Sequence, residues 1–382
     1  MERMSKVVAV VVTWRREREL ERLLASLEQS TLPLHGCVVM DHAGTVPEEM
    51  SRRSFPVKVV QDTSNPGPGA GWANGTRHAW DIFGKTDVWY LDDDVVIPPD
   101  TLEILLREKR GSGGNGTQLG AVEDAAHSGQ GSSFSKTQGG ADACPGLLDA
   151  APSGLNPKTA FTKHVPCSAT SNAVFGLNPF GAVAICPLIE DREGRLWGFP
   201  EPVSKSDRKK IRAAATPADA LRLLGPGRHP FCWATGACIL VDGAAIETTG
   251  LHRGDFWMLG EDLEFSMRLA ATGRAVFTCL AAVPHLPPEP ADEAEARRAD
   301  YRKFCALLQN LCFLSFHSPH SRHMWRYLPG NFRRFFRSHG MSPTTIRDAA
   351  TCFVQGAVCR HPSGHRSGAA LRERIARREL GR

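Results

Sequence analysis

Apolar runs and polar breaks alternate regularly along the first hundred residues. Lys6 to Thr13 (Lys-Val-Val-Ala-Val-Val-Val-Thr) has no polar face, which predicts a strand buried on both sides, as in a parallel sheet. Glu17 to Glu28 carries Leu20, Leu23, Leu24 and Leu27 at helical spacing and reads as an amphipathic helix. Cys37 to Asp41, Val57 to Gln61 and Val88 to Asp92 read as three further strands. Strands alternating with helices predict an α/β fold with a mostly parallel sheet and right-handed crossovers. Its ligand site should lie beyond the carboxyl ends of the strands, where Thr13, Asp41 and Asp92 open on one side.

Before the fourth strand, Asn65-Pro-Gly-Pro-Gly-Ala-Gly71-Trp-Ala-Asn74 reads as a loop leading into a helix over about 73–83. Its glycines would let the backbone approach a ligand. No Gly-Lys-Ser/Thr follows, so it is not a Walker loop, and its position and spacing do not fit a dinucleotide fingerprint. Past Arg107 the pattern dissolves. Gly111 to Gly116 and Ser128 to Ser133 are low-complexity, and about 110–180 is expected to be a long, poorly ordered insertion. Order resumes with a strand at Ala182 to Ile189 and a strand-like run at Phe231 to Val241. Gly236 interrupts that run and suggests a bulge or a close ligand. A helix starts near Glu261, with Leu259, Leu263, Met267 and Ala270 on one face and Gly273 at its end. A last strand, Arg274 to Val283, runs into Pro284-His285. Tyr301 to Phe316 places Phe304, Leu307, Leu308, Leu311 and Leu314 on one helical stripe, which predicts a helix packed on the rest. The expected organisation is an α/β domain over 1–290 and a helical, basic extension over 291–382.

Composition adds limits. With 382 residues, 42% hydrophobic and 23% charged, the chain is an ordinary globular one with room for a large α/β domain and an appendage. The apolar run Val7 to Val12 is too short for a signal peptide or a membrane span. Eleven scattered cysteines without a C-x-x-C pair suggest reduced thiols in a cytoplasm, not a disulfide framework or a zinc ribbon. The net charge of +5 hides an asymmetry, because residues 301–382 carry fifteen Lys and Arg against three Asp and Glu. Aromatic and basic residues together there read either as packed helices with solvated arginines or as peripheral contact with an anionic membrane surface; no nucleic-acid module is recognisable.

The candidate chemistry is acidic. Asp92-Asp93-Asp94 at the mouth of a strand would repel one another without a cation, and carboxylate oxygens suit Mg²⁺ or Mn²⁺. Glu261-Asp262 falls in the first turn of a helix, where acids also simply complement the helix dipole. Trp233, Gly236 and Trp257 nearby suggest an acceptor pocket. His285, fixed between prolines just past a strand, is a candidate imidazole ligand completing a carboxylate–metal site.

In this order the motifs resemble those of the family 2 glycosyltransferases with the GT-A fold, over about 6–107 and 182–288. The resemblance implies that Thr13 and Asp41 hold the nucleotide base and ribose, and that Gly71 and Asn74 belong to the donor loop. It implies that Asp92-Asp93-Asp94 bind the sugar nucleotide and a divalent metal, with His285 as a further metal ligand. Of the pair Glu261-Asp262, the second member would be the catalytic base of an inverting transfer from a nucleoside-diphosphate sugar to a glycan or lipid-linked acceptor. Three aspartates with a late Pro-His are most similar to the rhamnosyl- and galactofuranosyl-transferase branch, which acts on cell-envelope polysaccharide. Rival readings stay open. Asp92-x-Asp94-x-Val96 also fits the nucleophile motif of haloacid-dehalogenase phosphatases, although three strands precede it here. A nucleotidyltransferase also uses paired acids and metal, and a non-catalytic sugar-nucleotide-binding protein would keep the pocket alone.

Overall fold

The computed structural model describes residues 6–111, 181–256, 258–289, 292–318 and 321–358. The candidate Trp257, the expected insertion from residue 112 to 180 and the arginine-rich end from 359 lie outside the described residues.

The four early strands form as expected: β1 (Val7–Thr13), β2 (Gly36–Asp41), β3 (Val57–Gln61) and β4 (Asp87–Asp92). They are joined by β5 (Ala184–Glu190), β6 (Glu201–Pro202), β7 (Arg228–Trp233), β8 (Cys238–Val241) and β9 (Ala275–Pro284). All pair in one nine-stranded sheet of order β3-β2-β1-β4-β8-β5-β9-β7-β6. Only β8 and β7 oppose their neighbours, so the sheet is mostly parallel. The run read as one interrupted strand at Phe231 to Val241 is in fact two strands, β7 and β8, in separate places in the sheet. Gly236 sits in the connection.

The double-sided burial of β1 decides the layering. Val7, Ala9 and Val11 face one core, together with α1 (Glu17–Glu28) and α3 (Thr101–Arg110). Val8 and Val10 face the other core, with α2 (Pro68–Phe83), α4 (Lys205–Ala213), α5 (Pro217–Leu224), α6 (Gly243–Thr249) and α7 (Glu261–Ala270). The result is an α/β/α sandwich. Sequence periodicity gave no sign of α4, α5 or α6, because each is too short to show it. Their caps are legible, however: Ser204, Thr216 with Asp219, and Asp242 each accept a first-turn N–H.

Helix α2 starts at Pro68, five residues before the expected start, so Gly71 and Asn74 lie inside it. Proline suits a first helical position. The glycines serve packing: a Cβ on Gly71 would come within 2.8 Å of Val12 and His42, and one on Gly75 within 2.5 Å of Val10.

The end of α3 lies beside the start of β5, where the Ala182 N–H donates to the Lys109 carbonyl at 2.6 Å. At the other end, α8 (Glu293–His317), α9 (Ser321–His339) and α10 (Pro343–Val358) form a helical layer. Leu311, Phe313 and Leu314 of α8 and Met324 and Leu328 of α9 share a core with Phe256 and Met267, which joins this layer to α7. No helix among the described residues is long and apolar enough to cross a membrane.

Candidate active site

The parallel register brings the strand ends level. Thr13 pairs with Asp41 and Val12 with Asp92, so β1, β2 and β4 finish side by side. Directly after β4, the chain is zipped to the end of β9. The Val96 N–H donates to the Pro284 carbonyl at 2.9 Å and the Leu286 N–H to the Asp94 carbonyl at 2.7 Å, with Val95 opposite His285. These backbone bonds explain how residues nearly two hundred positions apart meet. Ligand atoms of Asp92, Asp94 and His285 lie within 4.8 Å of one another, and His285 Nε2 stands 3.0 Å from Asp94 Oδ1. The imidazole is stacked on Trp197 at 4.1 Å and 11°, which fixes its plane. Two carboxylates and an imidazole are a donor set that fits a divalent ion such as Mn²⁺.

The three aspartates have different surroundings. Asp93 is enclosed: Thr13 Oγ1 donates to Oδ2 at 2.7 Å and Arg16 Nη1 to Oδ1 at 2.9 Å. Asp94 is shared, with Oδ2 accepting from Arg16 at 2.7 Å and Oδ1 facing His285. Asp92 is the partly exposed member. Burial, then the charge of Asp94, pushes the Asp92 carboxyl up to about 7, with His285 offsetting part of this. Burial also lifts Asp93, to about 6, against the pull of Arg16. For Asp94 burial is outweighed by the hydrogen bond and charge of His285 and by Arg16, which hold it down at about 2.

Arg16 was not singled out from the sequence, yet a signal was there. It is the N-cap residue of α1 and makes no side-chain cap. Serine, threonine or aspartate is usual at that position, and lacking one costs about 1 kcal/mol. Four buried leucines on α1, at about 2 kcal/mol each, outweigh that loss. The side chain is thereby free to bind two carboxylates. Burial works against its charge, but Asp93 and Asp94 outweigh burial and keep it protonated.

Asp262 enters from the far side. Its Oδ2 accepts from the Gly236 N–H at 3.1 Å and its Oδ1 from the Leu263 N–H at 2.7 Å. The next residue, Ala237, accepts the Asp92 N–H at 3.0 Å, so Gly236-Ala237 ties Asp262 to the end of β4, and the Asp262 charge helps raise the Asp92 carboxyl. Gly236 is required there: a Cβ would stand 2.7 Å from the Trp72 ring and 3.0 Å from Asp262 Cβ. Burial raises the Asp262 carboxyl, and its backbone donors moderate the rise. Glu261 is more deeply buried, with Oε2 lacking a hydrogen-bond partner. Burial, with the charges of Asp262 and then Asp92, holds it well above the usual carboxylate range. Neighbouring acids in unequal surroundings can divide neutral and ionised roles.

The remaining candidates are placed differently. The Asp41 carboxylate is fully buried and accepts from the Ala43, Gly44 and Val46 N–H groups, at 3.0, 2.8 and 2.9 Å, so it shapes the loop after β2. Asn74 accepts from Arg77 at 2.7 Å in α2. Trp233 packs edge-on against Tyr327 of α9 at 5.9 Å, where the sandwich meets the C-terminal helices.

Residues 8–118 match the sequence model of the Glycosyl transferase family 2. The match spans β1 to α3 and holds Thr13, Asp41 and all three aspartates. Glu261, Asp262 and His285 lie beyond it. No curated protein matches the chain. Among solved structures, S. aureus TarS 1-349 is 14% identical over 92% of this chain and 81% of that one, with a TM-score of 0.46. Mannosyltransferase PcManGT from Pyrobaculum calidifontis, in complex with GDP-Man and Mn²⁺, is 15% identical over 96% of this chain and 80% of that one, with a TM-score of 0.43. GalNAc-T7 with UDP, GalNAc and Mn²⁺ is 12% identical over 89% and 58%, with a TM-score of 0.41.

Proposed function

We propose that the protein is an inverting, metal-dependent glycosyltransferase that moves a sugar from a nucleoside diphosphate to a hydroxyl of a glycan or lipid-linked acceptor. The observation that carries this reading is the convergence of Asp92, Asp94 and His285 on one point, with Asp262 tied to the end of β4 through the Gly236-Ala237 backbone. Asp92, Asp94 and His285 would hold the cation, Mn²⁺ more readily than Mg²⁺ because of the imidazole. When bound, the cation neutralises the charge that develops on the leaving diphosphate. Asp262 takes the proton of the acceptor hydroxyl, and its raised carboxyl makes it the better base. The hydroxyl oxygen then bonds to the anomeric carbon as the bond to the diphosphate breaks on the opposite face, which inverts the configuration. The aspartate triplet with a late Pro-His supports a rhamnosyl- or galactofuranosyl-type donor and a role in envelope polysaccharide. Asp262→Asn should abolish transfer while calorimetry still detects sugar-nucleotide binding with Mn²⁺. Loss of binding would instead move Asp262 to the donor side.

A second reading concerns location. Phe316 packs edge-on against Trp325 and Phe353, with ring centroids 4.8 and 5.6 Å away, although each of the three is more than a third exposed. Val354 and Val358 are exposed nearby on α10. Arg326, Arg333, Arg334 and Arg337 stand exposed on α9, which contains no acid. An aromatic edge beside a cationic face fits the anionic cytoplasmic surface of a membrane. The protein should sediment with anionic liposomes at low salt and lose this in Trp325→Ala/Phe353→Ala; indifference of the wild type to lipid would end the idea.

A further inference from the structure

The turn that delivers Glu261 and Asp262 is held from the C-terminal helical layer. Leu259 has φ +58° and Gly260 φ +100°, two successive left-handed residues immediately before α7. For leucine that conformation costs about 1–2 kcal/mol, so the turn needs support from its surroundings. Its own N-cap supplies none, because Gly260 has no side chain. The support comes from Asn310, buried in the middle of α8. Its Nδ2 donates to the Met258 carbonyl at 2.8 Å and to the Leu259 carbonyl at 2.5 Å. Its Cβ stands 3.3 Å from the point a Cβ on Gly260 would occupy. Phe256, Met267, Leu311 and Phe313 form the apolar surroundings of this contact. Asp262 lies two residues past the clamped turn, and its carboxylate accepts from the backbone N–H groups of Gly236 and Leu263. The direction in which α7 starts therefore decides where its carboxylate points.

We infer that Asn310 is a positioning residue for Asp262, acting from α8 through the left-handed Leu259-Gly260 turn. One amide nitrogen with two N–H donors matches two converging carbonyls. Aspartate has the same shape but would set a carboxylate against both carbonyls. The clamp is a structural statement that stands apart from the reaction; its effect on turnover rests on the glycosyl-transfer reading.

The experiment uses the full-length chain as wild type, Asn310→Asp and Asn310→Ala. Amide hydrogen exchange is followed at 258–264 and at 88–96, Mn²⁺ affinity by electron paramagnetic resonance, and kcat and donor KM by transfer or hydrolysis of sugar nucleotides. Asn310→Asp should speed exchange at 258–264 by about tenfold or more while leaving 88–96 and the Mn²⁺ affinity within about twofold. Its kcat should fall by about tenfold or more with little change in donor KM, because a displaced base costs rate and not donor binding. Asn310→Ala should show the same pattern more weakly, and it replaces the Asp variant in every comparison if that one does not fold. Unchanged exchange at 258–264 in Asn310→Ala overturns the clamp. Faster exchange with unchanged kcat overturns the positioning role. If the wild type turns over no sugar nucleotide, the proposed function falls, and the exchange data alone decide the clamp.

Discussion

Arg16→Gln tests the electrostatic design of the site. Arg16 is 13% exposed, and its Nη1 reaches Asp93 at 2.9 Å and Asp94 at 2.7 Å. Removing one partner of a buried pair costs about 3–5 kcal/mol, because the remaining charge stays desolvated without compensation. The variant can relieve part of that by protonating a carboxylate, which leaves an expected loss of about 2–3 kcal/mol near neutral pH. In a chain of this size that is a fall in melting temperature of roughly 3 °C, measured by thermal denaturation in EDTA. The sign of the pH dependence follows from Asp94. A depressed carboxyl contributes stability above its unfolded pKa, and that stability is lost as pH falls through the folded value, here about 2. Without Arg16 this contribution is smaller, so wild type and variant should differ most at neutral and alkaline pH and converge on acidification. Saturating Mn²⁺ should narrow the gap, since the cation supplies the missing positive charge. Equal melting temperatures near neutral pH in EDTA, or a gap that widens in acid, would refute the reasoning.

Two further outcomes follow from the same geometry. Gly236→Ala must push against the Trp72 ring at 2.7 Å and Asp262 at 3.0 Å. It should cost about 1–3 kcal/mol in stability and cut kcat by about tenfold or more, with donor binding retained in calorimetry; full turnover would show that Asp262 tolerates displacement. His285→Ala should weaken Mn²⁺ binding by more than the roughly 10–100-fold typical of an outer-shell change, read by electron paramagnetic resonance. Its backbone pairing with β5 and β4 does not use the side chain, so an unchanged affinity would remove His285 from the ligand set.

The sheet and the acidic cluster were legible because both depend on local pattern. β1, β2 and β4 are buried on both faces and therefore read as continuous apolar runs, and each run ends at a candidate site residue. The level register of Thr13, Asp41 and Asp92 then follows from parallel pairing. The sequence did not show what each carboxylate touches. Asp41 reads as a strand-end ligand, but the same residue type caps its own turn, and here its oxygens bond three N–H groups of the following loop. The glycines of the Asn65–Asn74 stretch read as freedom for a ligand, yet α2 begins at Pro68 and uses Gly71 and Gly75 to lie close on β1. Asn310 had no local signal at all, since its partners are some fifty positions away.

The triplet itself makes sense once its members are separated. A strand end with three acids needs countercharge, and Arg16 is within bonding distance of two of them. By binding one oxygen of Asp93, whose other oxygen Thr13 holds, and one side of Asp94, Arg16 leaves the other side of Asp94, together with Asp92, turned toward His285. The zipper between Asp94 and Leu286 makes that half of the site rigid through backbone hydrogen bonds, which no single side-chain substitution removes. The proposed base is held otherwise: Asp262 depends on the N–H groups of Gly236 and Leu263 and on a left-handed turn clamped by a distant amide. The two halves should therefore fail independently. Lesions at Arg16 or His285 act on cation affinity, whereas lesions at Gly236 or Asn310 act on turnover with the cation still bound.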